Sequence, residues 1–139
     1  MIVLDASLAL SWFFEDERSA GALALLHRVA AGGASVPGLW RLEVANGLQV
    51  AGRRGRLTIS ARNEAIAALR DLPISVDPET DLRAWDAILG LADRFGLTAY
   101  DAAYLELSLR LGLPLATRDQ ALTRACRSAG VDVADGSET

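Results

Sequence analysis

Residues 97–119 read LTAYDAAYLELSLRLGLPLATRD, and whether they form helix or strand decides the fold. Leu105, Leu107, Leu109, Leu111 and Leu113 alternate as in a strand. Yet Ala, Leu, Glu and Arg favour helix, and no β-branched residue interrupts the run. Thr98 is placed to cap a helix start, and Gly112 followed by Pro114 marks a stop. The stretch therefore predicts a helix from Ala99 to Leu111 and then a short buried strand, Leu115 to Thr117. A helix feeding a parallel strand runs back along the sheet, so its first turn lies at the sheet's carboxyl edge. Asp101 falls in that turn and Asp119 just past the strand, so both acids are expected at one edge. Each also has a plainer reading, Asp101 as a first-turn helix acid and Asp119 as an N-cap.

The pattern repeats along the chain. Met1 to Leu4 is an apolar run that ends at Asp5, which predicts a central buried strand presenting an acid. Acids there are often site residues in open parallel sheets, and equally often helix caps. Ser7 is placed to cap the next helix or to bond Asp5. Helices are predicted over Leu8–Phe14 and Arg18–Ala31, with a strand at Ala34–Val36. Leu39–Gly52 is predicted helical with Leu42, Ala45, Leu48 and Gln49 at helical spacing. Glu43 lies in its early turns, at the carboxyl edge again, and Asn46 follows on the same face. Ile59–Leu72 is predicted helix, Ile74–Val76 strand, and Pro78–Phe95 helix with Trp85, Ile88, Leu89 and Ala92 inward. A helix after Asp119 and a last strand, Val131–Val133, complete the pattern. Alternating strands and helices predict one α/β domain over residues 1–134, with three layers and a mainly parallel sheet of about five strands. The polar tail, 135–139, is expected to be disordered.

Composition narrows the class. The chain has 139 residues, 51% hydrophobic and 23% charged, enough for one domain with a real core. Its single cysteine, Cys126, excludes a disulfide framework and a cysteine zinc site, and reads as a small buried apolar residue. No basic leader precedes the first strand and no segment is long enough to span a bilayer, so a cytoplasmic protein without a membrane partner is expected. All 14 basic residues are arginine, which suits bidentate phosphate contacts, although genomic base composition explains the bias equally well. The net charge of −4 argues against a passive nucleic-acid coat. It argues less against a nuclease, because four acids in a metal site would leave the remaining surface neutral.

If Asp5 and Asp119 close neighbouring strands, Asp5, Glu43, Asp101 and Asp119 meet in one cleft. Like charges raise each other's pKa, so such a cluster is costly without a cation. Oxygen ligands without His or Cys point to Mg²⁺ or Mn²⁺, and such a site suits phosphoryl hydrolysis by activated water. Two surface features stay open. Arg53, Arg54 and Arg56 form a basic cluster that reads as a solvated helix end or a grip on RNA phosphate. Trp12, Phe13 and Phe14 are consecutive, so one helix face cannot bury all three. Either the core takes them at a helix end or part forms an exposed patch that binds a partner.

Four motifs together resemble a known family: VLDAS at residues 3–7, ExxN from Glu43 to Asn46, YDAAYLELS at 100–108 and ATRDQAL at 116–122. Their order and spacing are similar to PIN domains, in particular VapC-like toxins, across essentially the whole chain. The resemblance implies a small endoribonuclease using Mg²⁺ or Mn²⁺, with Asp5, Glu43, Asp101 and Asp119 as metal-site acids and Ser7 and Thr117 in support. It also implies homodimers and a cognate antitoxin. A DNA-directed or structure-specific nuclease of the same fold would share these motifs, and a non-catalytic α/β binding module would use the acids only as caps. A haloacid-dehalogenase-like phosphatase wants a second Asp where Ser7 stands, and a lysine. A response-regulator receiver also needs a lysine, and the chain has none.

Overall fold

Four short strands, Ile2–Leu4 (β1), Ala34–Val36 (β2), Ile74–Val76 (β3) and Leu115–Ala116 (β4), pair in parallel in the order β3-β2-β1-β4. The computed structural model describes residues 1–134, so the tail expected at 135–139 lies outside the described residues. Ile2, Val3 and Leu4 are each fully buried. Successive strand side chains point to opposite faces, so helices must cover both sides of β1. The connection after β1 leads to β2 on one side, and the chain returns to β1's other side as β4. The strand order therefore reverses between β1 and β4, and the crevice beyond their carboxyl ends is where open α/β sheets hold their sites.

The helices are Ala6–Ser11 (α1), Ala20–Gly32 (α2), Trp40–Arg53 (α3), Ile59–Arg70 (α4), Leu89–Phe95 (α5), Ala99–Leu111 (α6) and Gln120–Ala129 (α7). The decisive stretch folds as its composition predicts. The Thr98 hydroxyl accepts the Asp101 N–H at 3.1 Å, and Gly112 ends α6 in the left-handed conformation, φ +67°. Helix α1 packs closely on α3, and Gly47 makes this possible, because a Cβ there would collide with the Leu10 side chain.

Several expectations change. The fifth strand is only a bridge: the Leu115 N–H donates to Asp132 and the Ala134 N–H to Leu115, and β4 is too short to support more. Residues 78–95 are not one helix. A 3₁₀ turn, Asp81–Arg83, and a π-helical turn, Ala84–Ile88, precede α5. The wider π winding rotates the faces, so Ile88 and Ala92 are buried while Trp85 is 89% exposed and Leu89 half-exposed. In α3 the inward face is Trp40, Val44, Leu48 and Ala51, and Leu42 is 76% exposed. The core takes Trp12 and Phe14, so the exposed aromatic patch considered for 12–14 does not form. The Trp12 indole donates to the Ala22 carbonyl at 2.8 Å, and Phe14 lies under the Arg56 guanidinium at 4.4 Å. Only Phe13 stays partly exposed.

A buried ionic network ties α6 to the segment after β3. Arg110 donates to both carboxylate oxygens of Asp77, at 3.2 and 2.6 Å, and to both of Glu106, at 2.9 and 3.0 Å. The Thr80 hydroxyl adds a 2.7 Å bond to Asp77. Burial alone would raise the Asp77 carboxyl, but the bonds from Arg110 and Thr80 outweigh it and hold the pKa below the ordinary value. That stabilisation is therefore present above the ordinary carboxylate range and is lost as pH falls toward the lowered value. Removing one partner of a buried pair leaves an uncompensated charge. Arg110→Met keeps the stem packing and strands two buried acids, so urea denaturation should show a loss of about 3 kcal/mol. A loss within experimental error would mean the network contributes nothing net.

Candidate active site

Asp5 closes β1 and caps α1, accepting the Ser7 N–H at 3.4 Å. Two hydroxyls hold its other oxygen: Ser7 Oγ at 3.0 Å and Thr117 Oγ1 at 2.6 Å. Thr117 follows β4 and also accepts the Asp119 N–H at 3.0 Å, so one hydroxyl ties the ends of the two strands at the crevice. Asp119 in turn caps α7 by accepting the Leu122 N–H at 2.8 Å. Ser7 and Thr117, expected to support the site, both bond Asp5. Asp101 sits in the first turn of α6 and Glu43 in the first turn of α3.

Electrostatics show that these acids share one environment. Burial raises the Asp5 carboxyl, its hydroxyl partners lower it, and the Asp119 charge raises it further. Burial raises Glu43, Tyr104 offsets part of that, and the charges of Asp5 and Asp101 push it up again. Burial raises Asp101, and so do Asp119 and Asp5. Asp5, Glu43 and Asp101 each feel a neighbouring carboxylate, and no arginine offsets that repulsion. The donor set is all oxygen and carries uncompensated negative charge, which fits a hard divalent cation. Among the described residues no group of three or more His, Cys, Asp or Glu side chains is arranged to hold a metal ion, so the four acids expected in one metal site do not form a ready-made one. An ion here would rely on one or two carboxylates plus water, which is the habit of Mg²⁺.

The other candidates lie apart. Asn46 is exposed one turn beyond Glu43, whose carboxyl bonds Tyr104 rather than Asn46. Arg53 ends the helix that Glu43 begins, about 15 Å further along its axis. Arg53 and Arg54 are exposed there, while Arg56 pairs with Asp16 at 3.0 Å and Glu17 at 2.8 Å. Tyr104 is the residue that sequence reasoning missed. It is fully buried, and its hydroxyl accepts the Ala6 N–H at 3.3 Å and donates to Glu43 Oε1 at 2.5 Å. The only available signal was that Tyr104 follows Asp101 by three residues, on the same helix face. Burial pushes the Cys126 thiol up to about 11, in keeping with an inert core residue.

A PIN domain model matches residues 2–128 of this chain. VapC ribonuclease Mb0985 of Mycobacterium bovis is 33% identical over 125 residues, 88% of this chain and 89% of that protein. Ribonuclease VapC9 of Mycobacterium tuberculosis matches with the same identity and coverage. Among solved structures, PAE2754 from Pyrobaculum aerophilum superposes with a TM-score of 0.66 at 26% identity, over 90% of this chain and 87% of that one. FitAcB from Neisseria gonorrhoeae gives 0.67 at 18% identity over the full length of both, a likeness of fold.

Repulsion among the acids predicts a stability signature. Asp101→Asn keeps the shape and removes one charge. Without metal it should melt a few degrees above the parent, the shift that about 1 kcal/mol produces in a domain of this size. The raised pKa values mean that the folded chain binds more protons than the unfolded chain above the ordinary carboxylate range. Parent stability should therefore fall as pH rises through the raised values of Asp5, Glu43 and Asp101, and the variant should show a shallower fall. If Asp101 is only a helix-terminal acid, calorimetry in EDTA will show Asn neutral or slightly destabilising, with an unchanged pH slope.

Proposed function

The chain belongs to the PIN domain family, and on that premise we propose that it is an endoribonuclease dependent on Mg²⁺ or Mn²⁺, the toxin of a VapBC-type toxin–antitoxin pair. One observation carries the proposal: at the crevice where the strand order reverses, Asp5, Glu43 and Asp101 are raised first by burial and then by neighbouring carboxylates, Asp5 by Asp119, Glu43 by Asp5 and Asp101, and Asp101 by Asp119 and Asp5. A set of caps scattered for helix stability would not need to share one field. The ribonuclease names of the VapC relatives favour RNA over DNA as substrate. A DNA-directed or structure-specific nuclease would use the same acids.

A bound Mg²⁺ or Mn²⁺ would supply an activated water and charge to stabilise the leaving oxygen. The protein's part is to hold donors in place. Asp5 offers the most rigid carboxylate, fixed by Ser7 and Thr117. Asp119 is set by its cap to α7, and Glu43 by Tyr104. Asp101 accepts no bond from a cation and is the freest to meet an ion. A cognate antitoxin and a second copy of the chain are the protein partners that this reading entails, and the cytoplasm is where it places the RNA substrate. Among the described residues no helix is long and apolar enough to cross a membrane.

Water, not the 2′-hydroxyl, is the nucleophile in this reading, so the cut ends should carry 5′-phosphates. Purified protein free of antitoxin should cleave RNA with Mg²⁺ or Mn²⁺ and stop in excess EDTA. Asp5→Asn should lower the rate by at least about a hundredfold, the scale of losing a group that acts in the transition state. Products ending in 2′,3′-cyclic phosphate, or full activity in EDTA, would rule this chemistry out.

A further inference from the structure

We propose that Tyr104 is a positioning residue that fixes the Glu43 carboxyl relative to Asp5. This rests on the nuclease reading of the acid edge and adds a residue to it. The phenol lies where three elements meet: it comes from α6, bonds Glu43 on α3, and takes the N–H of Ala6, the residue next to Asp5. The direction of these bonds is forced. A backbone N–H only donates, so the hydroxyl must accept from Ala6 and spend its single proton on Glu43 Oε1. That oxygen must then be an acceptor, which favours the carboxylate form of Glu43.

The phenol itself stays protonated. Burial raises its pKa, and the bond to Glu43 and the charges of Asp5 and Glu43 raise it further. Tyr104 is therefore neither a base nor a nucleophile. Its ring is fully buried in the core, which leaves it no freedom to swing away. A flexible Glu side chain on α3 is thus registered against the end of the central strand through one rigid ring. Partners of this kind typically affect metal affinity or activity by about 10–100-fold when removed.

The test is Tyr104→Phe, which keeps the ring, combined with Glu43→Ala in a double-mutant cycle. Three readouts are measured on each protein: urea midpoint, affinity for Mn²⁺ alone by electron paramagnetic resonance, and RNA cleavage. Tyr104→Phe should keep the parent's circular dichroism and lose about 10–100-fold in cleavage and in Mn²⁺ affinity. In the Glu43→Ala background it should change Mn²⁺ affinity little, and the two urea shifts should be non-additive. Parental Mn²⁺ affinity and cleavage in Tyr104→Phe would overturn the proposal. So would a full loss of Mn²⁺ affinity that persists without Glu43, or strictly additive urea shifts. If the parent cleaves no RNA, the nuclease reading fails, and the Mn²⁺ and urea arms still decide whether Tyr104 positions Glu43.

Discussion

Asp5 is a charged group at the end of the most buried strand, and the neighbourhood is built around that constraint. The side chain is 6% exposed, yet no arginine reaches it. Desolvating a carboxylate without a counter-charge is costly, and hydrogen bonds are the remaining compensation. Ser7 and Thr117 supply two hydroxyl donors, and the first turn of α1 supplies a backbone N–H. Elsewhere the chain buries acids in the ordinary way: Asp77 and Glu106 are as deep, and Arg110 neutralises both. The contrast within one molecule separates a neutralised acid pair from acids without a counter-charge. Among the described residues the acid edge is under-compensated where the Arg110 network is not, and stability forgone in this way is a common accompaniment of function.

Topology brings the acids together, and capping holds them there. Each of the four begins or opens a different helix, and Asp5 and Asp119 are themselves N-caps. The structural and functional readings of these residues are therefore not rivals. A cap places a carboxylate at the positive end of a helix dipole, which offsets part of the repulsion from the other acids. The parallel sheet brings those helix starts to one edge, and the order reversal between β1 and β4 opens the gap between them. Two hydroxyls then fix the spacing, Thr117 between Asp5 and Asp119, and Tyr104 between Glu43 and the start of α1.

What the sequence disclosed follows from which forces are local. The caps Thr98, Asp5 and Asp119, the stop at Gly112 and the apolar strands depend on neighbours a few residues away, and all of them fold as their local patterns indicate. The placement of the four acids at helix starts was legible because strand–helix alternation sends such starts to one edge. The failures are those of longer range. Trp85 faces solvent because a π turn changes the winding, and nothing local in residues 81–88 announces it. The last segment has strand composition but meets a two-residue partner, so pairing stops at one bridge. Trp12 and Phe14 are buried by α2 and Arg56, elements distant in sequence. Tyr104 reads as core from its helix position, and it is core; its hydroxyl acts across the fold.

Charge, rather than shape, marks the site. A groove of about 330 Å³ lies between α3 and α4, lined by Trp40, Val44, Leu48, Ile66 and Leu69 among others, with no acid in its wall. The acid edge is the more unusual place, because its carboxylates gather without a bonded cation. Several arginines are committed to other acids. Arg118, between Thr117 and Asp119, pairs with Glu17 at 2.6 Å, and Arg56 pairs with Asp16 and Glu17. Arg110 is spent on Asp77 and Glu106. Among the described residues no arginine forms an ion pair with Asp5, Glu43, Asp101 or Asp119. A divalent ion would neutralise the carboxylates and present charge to a phosphate.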